Sequence, residues 1–204
     1  MASPGSLVSV DVIALRYNPR LRRVEMATKP RTTEPFLGRP ALPGVMLREG
    51  ERLAAAAHRA VTTKAGFDVS ALGQLTVFDQ PNRDPRGYSL SVAMWAVGDG
   101  DADWYSFDDV PNLAFDHNVM LFECRPLLVA MLWRDLEFTR ALTGSVFPVS
   151  SAVGITHTLS GITPDRGNLN RRLAALRGLT ISSQRVVLGR GRPGTVWEWE
   201  HSAA

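Results

Sequence analysis

The sequence predicts an α+β protein with a strand-rich part first and a helical part that ends in a β-hairpin. Two observations carry this prediction. Strand-like segments lie on both sides of one strong helix in about the first hundred residues, an order typical of a sheet packed against helices. After residue 117 the chain is helix-like, and it then reads as two short strands around a tip of Gly, Pro and Arg.

The strand-rich part is predicted from alternation and from helix end signals. Val8, Val10 and Val12 are spaced two apart, which indicates a half-buried strand. A helix is expected to start near Glu51, whose charge suits a helix N-terminus, and to stop at Gly66. Further strands are predicted, in chain order, at 22–29, 73–80 and 88–97.

The helical part is predicted as three helices and a hairpin. Residues 117–142 are helix-like, with Pro126 ending or kinking that helix near Arg125. A second helix is expected at 149–161.

The third predicted helix, 163–178, has clear start and stop signals. Thr163 is expected as the N-cap, Pro164 lies in the first turn, and Gly178 follows as the stop. Residues 179–200 then read as two strands around a tip. Helices followed by a hairpin of this size predict a winged helix-turn-helix.

Bulk composition fits a soluble protein with two domains. The 204 residues, 45% of them hydrophobic, can bury one medium core and a second small one. The single cysteine, Cys124, excludes an internal disulfide and fits a reducing cytoplasm. No stretch is apolar for long enough to span a bilayer. We therefore expect a cytoplasmic protein divided into 1–140, including a junction helix from about 117, and 141–204.

One face of the third helix has the side chains of a DNA-reading surface. On a helical wheel of residues 166–177, Leu169, Leu173 and Leu176 stack on the side that packs against the domain. The other side has small residues, which allow close approach to a groove, with Asn and Arg, which pair with adenine and guanine edges. The candidate DNA-binding residues on this helix are Asn168, Asn170, Arg171, Arg172 and Arg177.

Positive charge is concentrated in the same region. Residues 165–192 contain seven arginines and one acid, Asp165, a net charge of +6 against +3 for the whole chain. Charge of this density is typical of a protein that binds the phosphate backbone. At the hairpin tip, Arg190 and Arg192 are expected to reach a phosphate or the minor groove. The alternative is that these arginines are simply solvated.

Residues 41–67 resemble the Nudix box of diphosphate hydrolases, with the metal-binding carboxylates replaced. The box positions that match are Pro43-Gly44, Gly50-Glu51, Arg59 and Gly66-Phe67, while the three glutamate positions hold Ala60, Thr63 and Lys64. On a helix these three positions share one face, where carboxylates would hold magnesium and activate water. The resemblance therefore implies a Nudix-like α/β/α sandwich with lost or very weak hydrolysis, no bound metal and no cofactor.

The likeness extends along most of the chain to the Nudix-related transcriptional regulators, the NrtR-like family. Its further matching segments are FDQPNRDPRGYSLSVAMWAV at 78–97, WYSFDDVPNLAFDHNVM at 104–120, NLNRRLAALRGL at 168–179 and GRGRPGTVWEW at 189–199. The resemblance implies a repressor of NAD-metabolism or sugar-use genes that a small effector releases from DNA. The effector it implies for the NAD branch is ADP-ribose or a related nucleotide.

Candidate ligand residues follow from this resemblance. Arg83 and Arg86 are expected to clamp a diphosphate bidentately, the alternative being a loop held by an Arg–Asp pair. We hypothesise that Lys64 puts a fixed positive charge where magnesium would lie. The alternative for Lys64 is a lysine at a helix end, favoured by the helix dipole.

Three further positions bear on the predicted sensor. Arg59 is expected to pair with Glu51 or Glu49, and Arg39 lies near the place where the resemblance implies an aromatic residue. The four histidines show no metal spacing, and His117 is expected to pack at the domain junction. The ligand-binding candidates are thus Arg39, Arg59, Lys64, Arg83 and Arg86.

The sequence favours a ligand-responsive DNA-binding regulator over two alternatives. We expect a homodimer that reads two half-sites, with the effector altering the spacing of the recognition helices through residues 117–142. The first alternative is a weakly active Nudix hydrolase of a nucleotide diphosphate such as ADP-ribose. The second is a Nudix-like protein that binds RNA or another protein through its basic tail.

Overall fold

The structure is a computed structural model, and it describes residues 7–183 and 194–200. Internal contacts divide the chain into two compact units. The first unit is Met1–Arg16 with Glu25–Leu127, and the second is Tyr17–Val24 with Leu128–Ala204. The division into domains 1–140 and 141–204 stays a prediction.

A mixed β-sheet forms the centre of the first unit. Its seven strands within the described residues are β1 Leu7–Asn18, β2 Arg23–Pro30, β3 Pro40–Ala41, β4 Gly44–Met46, β5 Asp68–Phe78, β6 Ser89–Asp99 and β7 Asp103–Tyr105. The main order is β3-β2-β1-β6-β5, with β4 paired to β1 and β7 to β2. Strand β1 runs parallel to β6, whereas β5 and β6 are antiparallel. The α+β class predicted from the sequence is confirmed.

Strand β1 is buried on both faces in its middle. The spacing of Val8, Val10 and Val12 predicted the strand correctly but gave it one exposed face, which is wrong. All residues from Val10 to Leu15 are buried. Val10, Val12 and Ala14 lie in one hydrophobic core, and Ile13 and Leu15 are fully buried on the opposite face. A central strand with a parallel neighbour is typically covered on both sides.

The single helix between the strands, α1 Leu53–Ala65, packs its alanine-rich face onto the sheet. Ala56, Ala57, Ala60 and Val61 are fully buried in the core that this helix shares with β1 and β6. The predicted stop is confirmed, since Gly66 ends the helix with a left-handed φ of 52°. The start lies two residues after the predicted Glu51.

The chain after residue 116 contains four helices and three short strands within the described residues. They are α2 His117–Met131, α3 Leu136–Thr143, β8 Val146–Pro148, α4 Val149–Ser160, α5 Arg166–Ala174, β9 Leu179–Ile181 and β10 Val196–Trp199. The three strands form an antiparallel sheet in the order β8-β10-β9. Three helices beside such a sheet make a winged helix-turn-helix, as predicted.

The predicted junction helix is two helices. Pro126 does not end α2, which continues to Met131. The break follows at residues 132–135, where Trp133 has a φ of 61° and Asp135 caps α3 by accepting a hydrogen bond from the Phe138 backbone N–H at 3.0 Å. The break between the two helices thus lies at the left-handed Trp133 and the capping carboxylate of Asp135, and not at Pro126.

The third predicted helix is shorter than expected. Its N-cap is Asp165, whose side chain accepts from the Asn168 N–H at 2.8 Å, and the predicted cap Thr163 is wrong. The helix ends at Ala174, although Gly178 was expected as its stop. Strand β8 was not predicted, and the predicted hairpin tip with Arg190 and Arg192 lies outside the described residues.

The second unit has its own aromatic core. The Phe147 ring lies 6.3 Å from the Trp133 ring and 6.5 Å from the Trp199 ring, centroid to centroid. The indole N–H of buried Trp199 donates to Thr143 Oγ1 at 3.0 Å. Among the described residues, none of the helices is both long and apolar enough to cross a membrane.

Candidate functional site

Two adjoining cavities open in the first unit beside α1. The larger has a volume of about 600 Å³ and is lined from β1, β4, α1, the loop before β6 and the start of α2. The smaller, of about 480 Å³, is lined from the end of β2, the loop after it, residues 41–44 and the last turn of α1. Six residues line both cavities: Arg31, Thr33, Leu42, Gly44, Thr63 and Lys64.

The structure brings four of the five predicted ligand residues to the larger cavity. Arg59, Lys64, Arg83 and Arg86 line it. Arg39 lines neither cavity, and its guanidinium lies over the Phe36 ring at 5.4 Å. The role of the five residues in ligand binding stays a prediction, whereas the structure shows that four of them lie at one cavity.

Arg59 holds Glu51 in a bidentate ion pair, one of the two pairings expected from the sequence. Arg59 Nε and Nη2 lie 2.8 and 2.7 Å from the two carboxylate oxygens of Glu51. Glu51 also accepts from the Arg48 backbone N–H at 3.1 Å. The hydrogen bonds from Arg59 are the main reason that the pKa of Glu51 falls to about 2. Both oxygens of this remaining box carboxylate are therefore occupied.

The three former glutamate positions do not fit magnesium. Ala60 is fully buried in the core and so does not share the cavity face with the other two. Thr63 donates its hydroxyl to the Arg59 carbonyl at 2.6 Å, and Lys64 brings a positive charge to the lining of both cavities. Magnesium requires several oxygen ligands in octahedral geometry. Within residues 7–183 and 194–200, no three His, Cys, Asp or Glu side chains form a group suited to a metal.

The two arginines of the RDPRG loop are both in ion pairs, but with different partners. Arg86 pairs inside the loop with Asp84, Nη2 to Oδ2 at 2.6 Å, which is the alternative that the sequence left open. Arg83 instead reaches Asp116 with two bonds of 2.8 and 2.9 Å. The Arg86 side chain is 43% exposed and that of Arg83 only 5%. Arg86 is thus the more available of the two to a ligand.

Sequence reasoning missed Arg31 and Phe115 in the wall of the larger cavity. The Arg31 guanidinium lies 4.6 Å from the centroid of the Phe115 ring, and that of Arg86 lies 5.7 Å from it. Burial is the first cause that lowers the pKa of Arg31, and the positive charge of Arg86 is the second. The only signal for Arg31 in the sequence is a basic residue directly after a strand.

Asp11 and His117 were also missed as cavity residues. Asp11 Oδ2 accepts from the hydroxyls of Ser9 at 2.9 Å and Ser91 at 2.6 Å. His117, expected at the domain junction, lies in the cavity wall with its Nε2 3.7 Å from Asp11 Oδ1. Burial lowers the pKa of His117, so its ring is neutral near pH 7. The sequence signal for Asp11 was an aspartate between Val10 and Val12 in a predicted strand.

Helix α5 and the turn after it expose four of the seven predicted DNA-binding side chains. Leu169 and Leu173 are buried, as the helical wheel predicted. Asn170 is only half-exposed and accepts from the Trp197 indole N–H at 3.2 Å, so its amide oxygen is engaged within the unit. The exposed members of the predicted set are Asn168, Arg171, Arg172 and Arg177.

Arg171 and Arg172 donate hydrogen bonds to different partners. Arg172 Nη2 donates to the Leu132 carbonyl at 3.2 Å, which ties its side chain to the segment between α2 and α3. Arg171 Nη2 donates to Asn168 Oδ1, so two exposed polar side chains are held side by side on one surface of α5. The other two predicted residues, Arg190 and Arg192, lie outside the described residues.

Comparison with known proteins gives this architecture a family context. No family model matches the chain. The chain is 29% identical over 214 aligned positions to the ADPR responsive transcriptional repressor NtrR of Acinetobacter baylyi, covering 96% of this chain and 83% of that protein. It superimposes on the crystal structure of Shewanella oneidensis NrtR complexed with a 27mer DNA with a TM-score of 0.78 and 23% identity, covering 95% and 93% of the two chains. The chain is therefore similar to these two proteins over nearly its whole length.

The first unit has the Nudix fold. It resembles the NUDIX domain of Shewanella oneidensis NrtR complexed with ADP ribose, with 27% identity and a TM-score of 0.56 over 62% of this chain and 91% of that one. The chain is also 31% identical over 101 residues to an ADP-ribose pyrophosphatase of Methanocaldococcus jannaschii. That match covers 45% of this chain, and the chain spans 60% of the length of the pyrophosphatase.

Proposed function

We propose that this NrtR-like chain is a ligand-responsive, DNA-binding transcriptional repressor whose Nudix-fold domain senses a nucleotide diphosphate of the ADP-ribose type without hydrolysing it. One observation carries the sensor half of the proposal. The cavity keeps a cationic lining, while the positions that would hold magnesium are Ala60, Thr63 and Lys64.

The size and charge of the two cavities support a nucleotide diphosphate as the effector. Each has a volume in the range of small-molecule sites, which is about 300–1,000 Å³. Arg31 and Lys64 line both cavities, so a diphosphate placed beside them would have room for a group on either side. Lys64 has no ion-pair partner among the described residues, and an ammonium in this place attracts phosphate oxygens.

The proposal assigns no hydrolysis to the chain for a chemical reason. Diphosphate cleavage by Nudix-type chemistry needs a divalent metal that neutralises the phosphates and activates water. Here the remaining box carboxylate, Glu51, is bound on both oxygens by Arg59. A lysine in place of a metal ligand binds the anion but supplies no activated water.

The DNA-binding half of the proposal rests on α5. Asn168 and Arg171 are exposed and adjacent on this helix, and their side chains have the donor groups that read base edges. The solved complex of Shewanella oneidensis NrtR with a 27mer DNA supports the same use of this fold here. By the same resemblance we propose a homodimer that controls genes of NAD metabolism.

Two measurements on the full chain test the proposal together. The first is DNA affinity by fluorescence anisotropy on a duplex from the gene's own upstream region, with and without ADP-ribose. We expect ADP-ribose to weaken binding to this duplex. Arg171→Ala should weaken specific binding by about 1–3 kcal/mol and change binding to a random duplex less. An equal loss on both duplexes would mean that Arg171 touches only phosphates.

The second measurement is AMP release from ADP-ribose in the presence of magnesium. We expect none above background. The similarity of the first unit to an ADP-ribose pyrophosphatase favours the alternative of a weakly active hydrolase, and this assay decides between them. Turnover at about 1–1,000 per second, the ordinary range for enzymes, would overturn the proposed sensor.

A further inference from the structure

Asp11 presents one carboxylate oxygen to the cation-lined cavity. Its Oδ2 is held by the hydroxyls of Ser9 and Ser91. Its Oδ1 has no hydrogen-bond donor among the described residues, and Asp11 as a whole is only 7% exposed. A nearly buried carboxylate oxygen that faces a cavity without a donor is an acceptor available to a ligand.

Gly44 leaves room for this oxygen. Asp11 and Gly44 are paired in the antiparallel register of β1 and β4. A Cβ atom at position 44 would overlap Asp11 Oδ1, so a side chain here would displace the carboxylate. Gly44 also lines both cavities.

His117 adds a hydrogen-bond donor beside the same oxygen. The Leu42 backbone N–H donates to His117 Nδ1 at 3.0 Å, so Nδ1 is an acceptor and the proton of the neutral ring is on Nε2. Nε2 lies 3.7 Å from Asp11 Oδ1, too far for a direct hydrogen bond. The two atoms are therefore a donor and an acceptor that lie near each other without a direct hydrogen bond.

A hydroxyl group beside these two atoms can bond both of them, and the diphosphate of the ligand cannot. One hydroxyl oxygen donates its proton and accepts another, so it can bond Asp11 Oδ1 and His117 Nε2 at the same time. The diphosphate of an ADP-ribose-type ligand is substituted at both ends, so it has no proton to donate near pH 7, and the Asp11 carboxylate would repel it. The cations that attract phosphate, Arg31 and Lys64, line the same cavity.

We propose that Asp11 and His117 form a hydroxyl-binding subsite that recognises the sugar part of the effector. This rests on the proposed function of the cavity as a nucleotide sensor, and it names the two residues that bind a sugar hydroxyl of the ligand. The effector is then a sugar-bearing diphosphate, and a free diphosphate lacks the group that this subsite reads.

The test measures binding of two probes, ADP-ribose and inorganic pyrophosphate, to the full chain by calorimetry. Asp11→Asn keeps an oxygen for the two serine hydroxyls but removes the charge and presents an amide to the cavity. His117→Asn keeps an acceptor for the Leu42 N–H but removes the Nε2 donor. For each variant we expect ADP-ribose affinity to fall about 10-fold or more. Pyrophosphate affinity should hold in His117→Asn, and hold or rise in Asp11→Asn.

A matched control is Asp68→Asn, which makes the same chemical change at an exposed position outside both cavities. It should leave both affinities unchanged. Thermal unfolding of each variant shows whether it is folded under the conditions of the titration.

Each other outcome has a defined meaning. Equal losses for both probes would assign Asp11 and His117 to the scaffold and overturn the subsite. Unchanged ADP-ribose affinity in both variants, with normal binding by the wild type, would also overturn it while leaving the sensor intact. If the wild-type chain bound neither probe, the proposed function would itself fail, and the subsite with it.

Discussion

Arg83 and Asp116 form a bidentate ion pair that fixes the loop before β6 to the residue before α2. Arg83 Nε and Nη2 lie 2.9 and 2.8 Å from the two oxygens of Asp116. The two side chains are only 5% and 14% exposed. Arg83 Nη2 also contacts Met120 Sδ at 3.4 Å, so the guanidinium is committed to the start of α2.

Removing Arg83 should therefore destabilise the fold strongly. Arg83→Ala leaves the poorly exposed Asp116 carboxylate without its cation, and breaking a buried pair from one side costs about 3–5 kcal/mol. Arg86→Ala is the matched control in the same loop. The Arg86 side chain is 43% exposed. After its removal, Asp84 still accepts a hydrogen bond from the backbone N–H of residue 86, at 2.9 Å. The cost of Arg86→Ala should therefore be on the order of 1 kcal/mol.

Urea unfolding followed by circular dichroism measures both free energies. Equal destabilisation by the two variants would contradict the assignment of Arg83 to the scaffold. The loop sequence alone does not distinguish the two arginines, because the partner of Arg83 is 33 residues away along the chain.

This pair illustrates what the sequence does and does not determine. Periodicity and end signals predicted α4 and the end of α1 at Gly66, because helix faces and stops depend on residues close together in the chain. They placed α5 but gave the wrong N-cap, since Thr163 and Asp165 are both good caps. They missed the two-sided burial of β1, which depends on elements that pack over the sheet from far along the chain, such as α1 on one face.

The candidate site follows the same division. Sequence motifs of known spacing predicted Arg59, Lys64 and Arg86 as site residues, and these three line one cavity. Asp11 and Arg31 belong to no motif, and only the folded sheet brings them beside α1. Convergence of distant residues is a tertiary property that local patterns do not encode.

Burial of His117 predicts a pH dependence of stability. Its folded pKa is lowered below the ordinary value of 6.5, first because burial desolvates the charged ring. Below about pH 6.5 the unfolded chain therefore takes up a proton that the folded chain refuses. The free energy of unfolding should therefore decrease as the pH is lowered through this range. His117 contributes up to about 1.4 kcal/mol of this decrease per pH unit.

Denaturant midpoints between pH 5 and 8 for the wild type and His117→Asn isolate this effect. The variant removes the titrating ring, so its stability should depend less on pH than that of the wild type. Parallel pH profiles of the two proteins would show that His117 titrates alike in the folded and unfolded chains.

Cys124 should be unreactive in the folded protein. The thiol is fully buried in α2, and burial, followed by the charge of Glu123, raises its pKa to about 12. Only the thiolate reacts with a disulfide reagent. We expect no reaction with Ellman's reagent at pH 8 in native conditions and one thiol per chain in denaturant, because the sequence has a single cysteine.

Free glutathione under the same conditions is the control for the reagent. Complete reaction of the native protein within the time that glutathione needs would mean that α2 opens readily around Cys124. Protection that is lost at the same urea concentration as the helical signal would make the thiol a probe of global unfolding.

Asn168 and Asn170 should separate DNA binding from stability within one turn of α5. Asn170 accepts the indole N–H of Trp197, a residue that is only 2% exposed. Asn170→Ala leaves that donor without a partner and should lower stability by about 1–3 kcal/mol. Asn168 is exposed and holds Arg171, so Asn168→Ala should weaken binding to the operator duplex while its unfolding temperature changes little.

Anisotropy titrations and thermal unfolding on both variants give the comparison. The reverse pattern, with Asn170→Ala stable but deficient in DNA binding, would assign base contact to Asn170 and make its bond to Trp197 incidental.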